Sequence, residues 1–266
     1  MQEGRKRVAL LMGSFNPVHC GHLAVARYVL AQDLAEEVWL VVSPRNPFKD
    51  AADLAPFEDR LAMVRLALAE IGDPRLRACD AEAALPRPSY TIHTVEYLRE
   101  SYPGAEFIIL AGSDIADQLP RWYRSDELRR MVRFLIYPRN SGEASPEMAN
   151  APMYGIDSTS VRKSVAEGAP LEIGVVPQSV SDYIQAKKLY AMRTIEQWTE
   201  LIAEKPETAD YYFERGRLYY RNNDFGKAAN DFNRALEIDP GHTAARQMRE
   251  MTEAIFNFRN FDIYNP

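Results

Sequence analysis

Through the first 140 residues, short apolar runs alternate with longer amphipathic ones, which restricts the chain to a parallel sheet with helices on both faces. The runs at 8–12, 38–43, 107–111 and 132–137 are bounded by Gly, Pro or charge. Strands buried on both faces read this way, because neither face meets water and no polar residue needs to alternate with the apolar ones. Between them, residues 21–32, 58–71 and 91–101 carry apolar side chains at helical spacing, with Leu61, Val64, Leu68 and Ile71 on one face. Each is predicted to be a crossover helix. The expected fold is α/β, a Rossmann-like sheet.

From residue 159 only helical patterning continues, at 159–167, 178–187 and from about 194 onward. Tyr212, Gly216, Tyr219, Ala228, Phe232, Ala235 and Pro240 follow a spacing that resembles one tetratricopeptide repeat, two antiparallel helices meeting through small and aromatic residues. Trp198 lies 34 residues before Phe232 and Pro206 lies 34 before Pro240, so the second helix of a truncated preceding repeat is expected at 194–204. Arg215 stands where that repeat usually has Leu. Ala244, Met248 and Met251 are expected to form a capping helix. The predicted organisation is an α/β domain at 1–192 and an all-α helical-repeat tail at 193–266. Few repeats are stable alone, so the tail is expected to dock on the first domain or on another chain. Self-association and peptide capture are both open for it.

Composition narrows the function. A net charge of −6 argues against a general nucleic-acid binder, since such proteins neutralise rows of phosphates with Lys and Arg. Cys20 and Cys79 are the two cysteines. No apolar run approaches the 18 or so residues of a membrane span, and no signal-like stretch follows Arg5-Lys6-Arg7. A reduced, cytoplasmic protein acting on neither membrane nor nucleic acid is expected.

The chemistry is concentrated after the first strand, in Gly13-Ser14-Phe15-Asn16-Pro17-Val18-His19-Cys20-Gly21-His22-Leu23. In an open α/β sheet, ligands sit beyond the carboxyl ends of the strands, where a helix N-terminus offers unpaired N–H groups to phosphate. His19 and His22, three apart, fall on one side of the first helical turn. Gly13 lets the backbone approach a ligand, Pro17 stiffens the loop, and Gly21 leaves room between two imidazoles. A zinc reading needs further ligands, yet only His93 and His242 remain and Cys20 points to another face. No protein-held metal is expected.

This stretch resembles the nucleotidylyltransferase signature G-x-F-x-P-x-H-x-G-H at every fixed position, a match whose chance probability is on the order of 10⁻⁸. Further stretches resemble the bacterial nicotinate-nucleotide adenylyltransferase family over residues 8–190. Ser43-Pro44-Arg45-Asn46-Pro47-Phe48-Lys49 is similar to the family's Pro-rich loop, which ends in a basic pair; Phe48 departs from that pair, leaving Lys49 to reach phosphate. Pro88-Ser89-Tyr90-Thr91 looks like the pyridine-side loop, with Ser89 or Thr91 also serviceable as a helix N-cap. Gly112-Ser113-Asp114 follows a strand, and the resemblance implies that Asp114 holds a ribose. Trp122-Tyr123 resembles the aromatic pair on which a nicotinate ring stacks; a core role for Trp122 is the alternative. Ile156-Asp157-Ser158-Thr159-Ser160-Val161-Arg162 resembles the second signature, I-S-S-T-x-x-R. Asp157 replaces the usual Ser there and is also a candidate N-cap.

The resemblance implies adenylyl transfer from ATP to nicotinic acid mononucleotide, with pyrophosphate leaving. His19, His22, Lys49 and Arg162 are the expected catalytic set. Gly13, Ser14, Phe15, Gly21, Gly112, Asp114, Ser158 and Thr159 are expected with His22 and Arg162 at ATP, and Asn16, Ser89, Tyr90, Thr91, Trp122 and Tyr123 at the mononucleotide. Mg²⁺ is expected to travel with ATP. A phosphate-rich site is expected to favour the charged form of imidazole. Two other readings stay open: the same reaction on nicotinamide mononucleotide or another phosphate acceptor, and an interaction protein whose repeat-like tail is the working part.

Overall fold

The computed structural model describes residues 5–44, 54–86, 90–139, 142–172, 174–191 and 193–263, with side chains to residue 256. The chain divides into two compact units, Met1–Ala191 and Met192–Pro266. In the first, among the described residues, β1 (Lys6–Gly13), β2 (Glu37–Val42), β3 (Leu76–Cys79), β4 (Ala105–Gly112) and β5 (Arg133–Tyr137) form one sheet. Their order is β3-β2-β1-β4-β5, and every neighbouring pair is parallel. Crossovers run through α1 (Cys20–Ala31), α2 (Phe57–Ile71) and α3 (Thr91–Ser101); α4 (Ser113–Ala116) and α5 (Ser125–Met131) lead into β5, and α6 (Ser158–Ala166) and α7 (Gln178–Lys187) follow it.

Strand alternation sends successive side chains into two different cores. Ala9, Leu11, Val38, Leu40, Ile108 and Leu110 pack against α1, α2 and α7 through Val29, Val64 and Ile184. Val8, Leu10, Trp39, Val41, Phe107 and Ile109 pack on the opposite face against Ile92, Val95 and Leu98 of α3 and Leu128 of α5. The α2 helix stops at Gly72, whose φ of 72° turns its N–H onto the Leu68 carbonyl.

The expected strands and crossover helices are present, with ends shifted by one or two residues. The pattern did not reveal β3. Its Leu-Arg-Ala-Cys pairs only with β2, at the sheet edge, and buries only Leu76 fully, so it lacks the apolar run that marks the inner strands.

The second unit holds α8 (Ile195–Glu204), α9 (Ala209–Arg221), α10 (Phe225–Ile238) and α11 (Thr243–Ile263). Gly216 of α9 is where the helices close: a Cβ there would lie 2.7 Å from the Phe232 ring of α10. Ala228, Phe232 and Ala235 are fully buried. Arg215, the departure from the repeat pattern, is explained by Asp231. Its Nε and Nη2 each donate to that carboxylate at 2.8 Å, in a pair only 16% and 8% exposed. The expected capping helix is present as α11, with Ala245 and Thr252 inside and Met251 52% exposed.

Candidate active site

Because β2 and β4 flank β1 and the chain winds in opposite senses from it, the sheet has a topological switch beside β1, the place where open α/β sheets hold ligands. The signature loop leaves β1 there. His19 is the N-cap residue of α1, in extended backbone, and His22 is its third helical residue. Their ring centroids lie 3.7 Å apart, and the His19 backbone N–H donates to His22 Nδ1 at 3.3 Å. Gly21 makes this possible, since a Cβ there would sit 3.0 Å from the His19 ring.

Both imidazoles line a cleft of about 130 Å³ with Gly21, Tyr137, Arg139 and Asp157. His19 is 5% exposed, and its Nδ1 is buried without a hydrogen-bond partner. Burial, with the Arg139 charge behind it, lowers its pKa to about 4, while Asp157 pulls the other way. The protein surroundings by themselves thus favour neutral imidazole at His19; the charged form is what a phosphate-filled site was expected to favour.

Several residues expected at ligand also hold the loop together. Phe15, at φ 45°, buries its ring edge-on to His22 at 5.0 Å and against the space beside Gly13, so it backs the imidazole. The Asn16 side-chain oxygen, expected at substrate, accepts from the Ala55 N–H at 3.0 Å and the Tyr190 hydroxyl at 2.9 Å. Burial holds the Tyr190 hydroxyl well above its ordinary pKa. Ser14 is buried with its Oγ unpartnered.

The second signature is stitched onto the first. Asp157 is the N-cap of α6, accepting from the Ser160 N–H at 2.8 Å, so its carboxylate is engaged with its own helix. Ser158 Oγ donates to the Pro17 carbonyl at 2.9 Å and Arg162 Nη1 to the Asn16 carbonyl at 3.0 Å. Arg162 also approaches Thr159 Oγ1 at 3.5 Å.

At the end of β4, Asp114 keeps one buried oxygen unpartnered and sets the other 3.6 Å from Arg139. Gly112 permits this approach, because a Cβ would lie 2.4 Å from Asp114 Oδ1. Arg139 itself is fixed by Ser113, whose hydroxyl donates to its carbonyl and accepts from its N–H. Sequence reasoning missed Arg139; its position two residues after β5, at the carboxyl edge of the sheet, was the available signal.

On the other side, Tyr90 and Tyr123 stack at 4.5 Å, with His93 edge-on to both at 5.8 Å. Tyr123 is 50% exposed, whereas Trp122 is half-buried against the α3-side core. The N-cap position of α3 is Tyr90, so Thr91 is already helical and is not the cap. Lys49, Phe48 and Ser89 lie outside the described residues.

Against this geometry stand the comparisons with known proteins. Residues 10–164 match the Cytidylyltransferase-like family. A Bacteroides fragilis protein named "Probable nicotinate-nucleotide adenylyltransferase" is 39% identical over 188 residues, covering 68% of this chain and 92% of the relative.

The chain belongs to the nicotinate-nucleotide adenylyltransferase family.

Other relatives in this family come from Bacteroides thetaiotaomicron, 39% identical over 70% of this chain and 94% of the relative, and Shouchella clausii, 36% identical over 70% and 97%. The fold is shared with a nicotinic acid mononucleotide adenylyltransferase of Plasmodium falciparum solved with NaAD, at TM-score 0.56 and 18% identity over 70% of this chain and 97% of that one. These relatives cover 68–70% of this chain. In the tail, residues 209–242, spanning α9 and α10, match the Tetratricopeptide repeat family.

Proposed function

We propose that the chain transfers the adenylyl group of ATP to nicotinic acid mononucleotide, giving nicotinic acid adenine dinucleotide and pyrophosphate. The observation that carries this reading is the paired imidazoles at the N-terminus of α1, facing a cleft that also holds Arg139. A phosphate oxygen of the mononucleotide attacks the α-phosphorus of ATP, a new P–O bond forms, and the α–β bridging bond breaks as pyrophosphate leaves. No covalent enzyme intermediate is required, so positioning and charge neutralisation supply the catalysis.

His22 accepts the His19 backbone N–H at Nδ1, which leaves Nε2–H as its donor to the α-phosphate. His19 lies beside it as a second donor, and an arriving phosphate counteracts the burial that keeps its ring neutral. The N–H groups opening α1 and α6, including those near Gly21, Ser158 and Thr159, add their dipoles. Arg162 and Lys49 hold the leaving pyrophosphate. Asp114, with its unpartnered oxygen, receives a ribose hydroxyl, and Tyr90, Thr91, Trp122 and Tyr123 receive the pyridine ring.

Among the described residues, no group of three or more His, Cys, Asp and Glu is placed to hold a metal. A Mg²⁺ carried on the triphosphate with mostly water ligands would neutralise phosphate charge there. Pyrophosphate release is measured with nicotinic acid mononucleotide and, separately, with its amide. Faster release with the acid is expected; a preference for the amide overturns the acceptor, and no release with either overturns the reaction.

A further inference from the structure

Arg60 of α2 is a charged side chain with no exposed surface, among the largest fully buried groups in the first unit. A buried guanidinium normally faces a carboxylate, because an unpaired charge is costly to desolvate. Among the described residues no carboxylate lies within ion-pair distance of it. Its partners are main-chain carbonyls instead: Nε donates to Ala55 at 2.9 Å, Nη1 to Ser14 at 2.6 Å and Ser43 at 2.7 Å, and Nη2 to Pro44 at 2.8 Å.

Those acceptors belong to three separate stretches of chain. Ser14 is in the signature loop after β1, Ser43 and Pro44 follow β2, and Ala55 precedes α2. One planar fork thus joins the loop that carries the imidazoles to both ends of the β2–α2 connection. A second tie runs parallel to it, since Asn16 of the same loop takes the Ala55 N–H. Side-chain packing alone explains none of this, because a Leu or Met would fill the same volume without desolvating a charge.

We propose that Arg60 is a positioning residue for adenylyl transfer, fixing the separation between the signature loop and the β2–α2 connection at the carboxyl edge of the sheet. The rigid spacing of its donors, which Lys lacks, is the property used. The role rests on the reaction proposed above, and its test has one readout that does not.

Arg60→Lys and Arg60→Met are compared in the full chain with Leu98→Ala, a core substitution in α3 chosen to match their loss of melting temperature. Pyrophosphate release is measured well below every melting point, with ATP varied. A displacement of about 1 Å in a catalytic group costs roughly 10²-fold, so both Arg60 variants are expected to lose about that in kcat/KM while Leu98→Ala stays within about threefold. Amide exchange is followed at Ala55 in parallel. Arg60→Lys is expected to speed it selectively, with α3 amides unchanged, whether or not the chain proves to be an adenylyltransferase. An Arg60→Lys variant with native exchange at Ala55, or one no less active than an equally destabilised Leu98→Ala, overturns the proposal. If Arg60→Met does not fold, the Lys variant decides alone.

Discussion

The backbone N–H of His19 donates to Nδ1 of His22 at 3.3 Å, so the residue that opens α1 also sets which nitrogen of its neighbour's neutral ring carries the proton. Pre-organised donors of this kind typically supply about 10²–10³ in rate. His22→Ala is expected to lower kcat by that factor and to leave the melting temperature nearly unchanged, since His22 is only half-buried. Near-native turnover in steady-state assays overturns its role.

His19 makes stability depend on pH. Its pKa is about 4 in the folded chain against 6.5 for the free side chain, so the unfolded chain binds more protons between those values. The stabilisation is full above about pH 6.5 and is lost as pH falls toward 4. At about 1.4 kcal/mol per unit, the loss approaches 3 kcal/mol. Urea unfolding across that range should show the stability difference between the native chain and His19→Asn shrinking as acid is added; a constant difference means the ring is not held neutral.

On the proposed pyridine side, Tyr123 presents an exposed ring stacked on Tyr90, while Trp122 packs against the α3-side core. Ring stacking contributes about 0.5–1.5 kcal/mol. Tyr123→Ala and Trp122→Ala are each expected to raise KM for the mononucleotide by up to about tenfold and to leave KM for ATP nearly constant. Equal changes in both constants place the ring elsewhere.

In the tail, Arg215 and Asp231 form a bidentate pair with little exposed surface. Removing one partner of such a pair strands a buried charge and typically costs about 3–5 kcal/mol, whereas an apolar pair of similar volume is tolerated. Amide exchange in α9 and α10 should therefore rise sharply in Asp231→Ala and recover in the double variant Arg215→Leu with Asp231→Leu. Protection retained in Asp231→Ala contradicts the assignment.

Where the apolar pattern was continuous, as in β1, β2 and β4, the sheet was legible, and β3 was not, because an edge strand with one buried residue has no pattern to show. The signature loop was equally legible as chemistry. The contacts within it were not: Phe15 and Asn16, expected at ligand, also pack edge-on to His22 and accept from Ala55 and Tyr190 respectively.

Local sequence determined which segments become strands and helices, and that two imidazoles start α1, because periodicity and capping act within a few residues. Tertiary structure alone decided that Arg139 stands beside His19, that Tyr190 reaches Asn16 across 174 positions, and that Arg60 joins the signature loop to both ends of the β2–α2 connection. Contacts of that separation depend on how crossovers stack strand ends side by side, and no spacing along the chain encodes the distance between them.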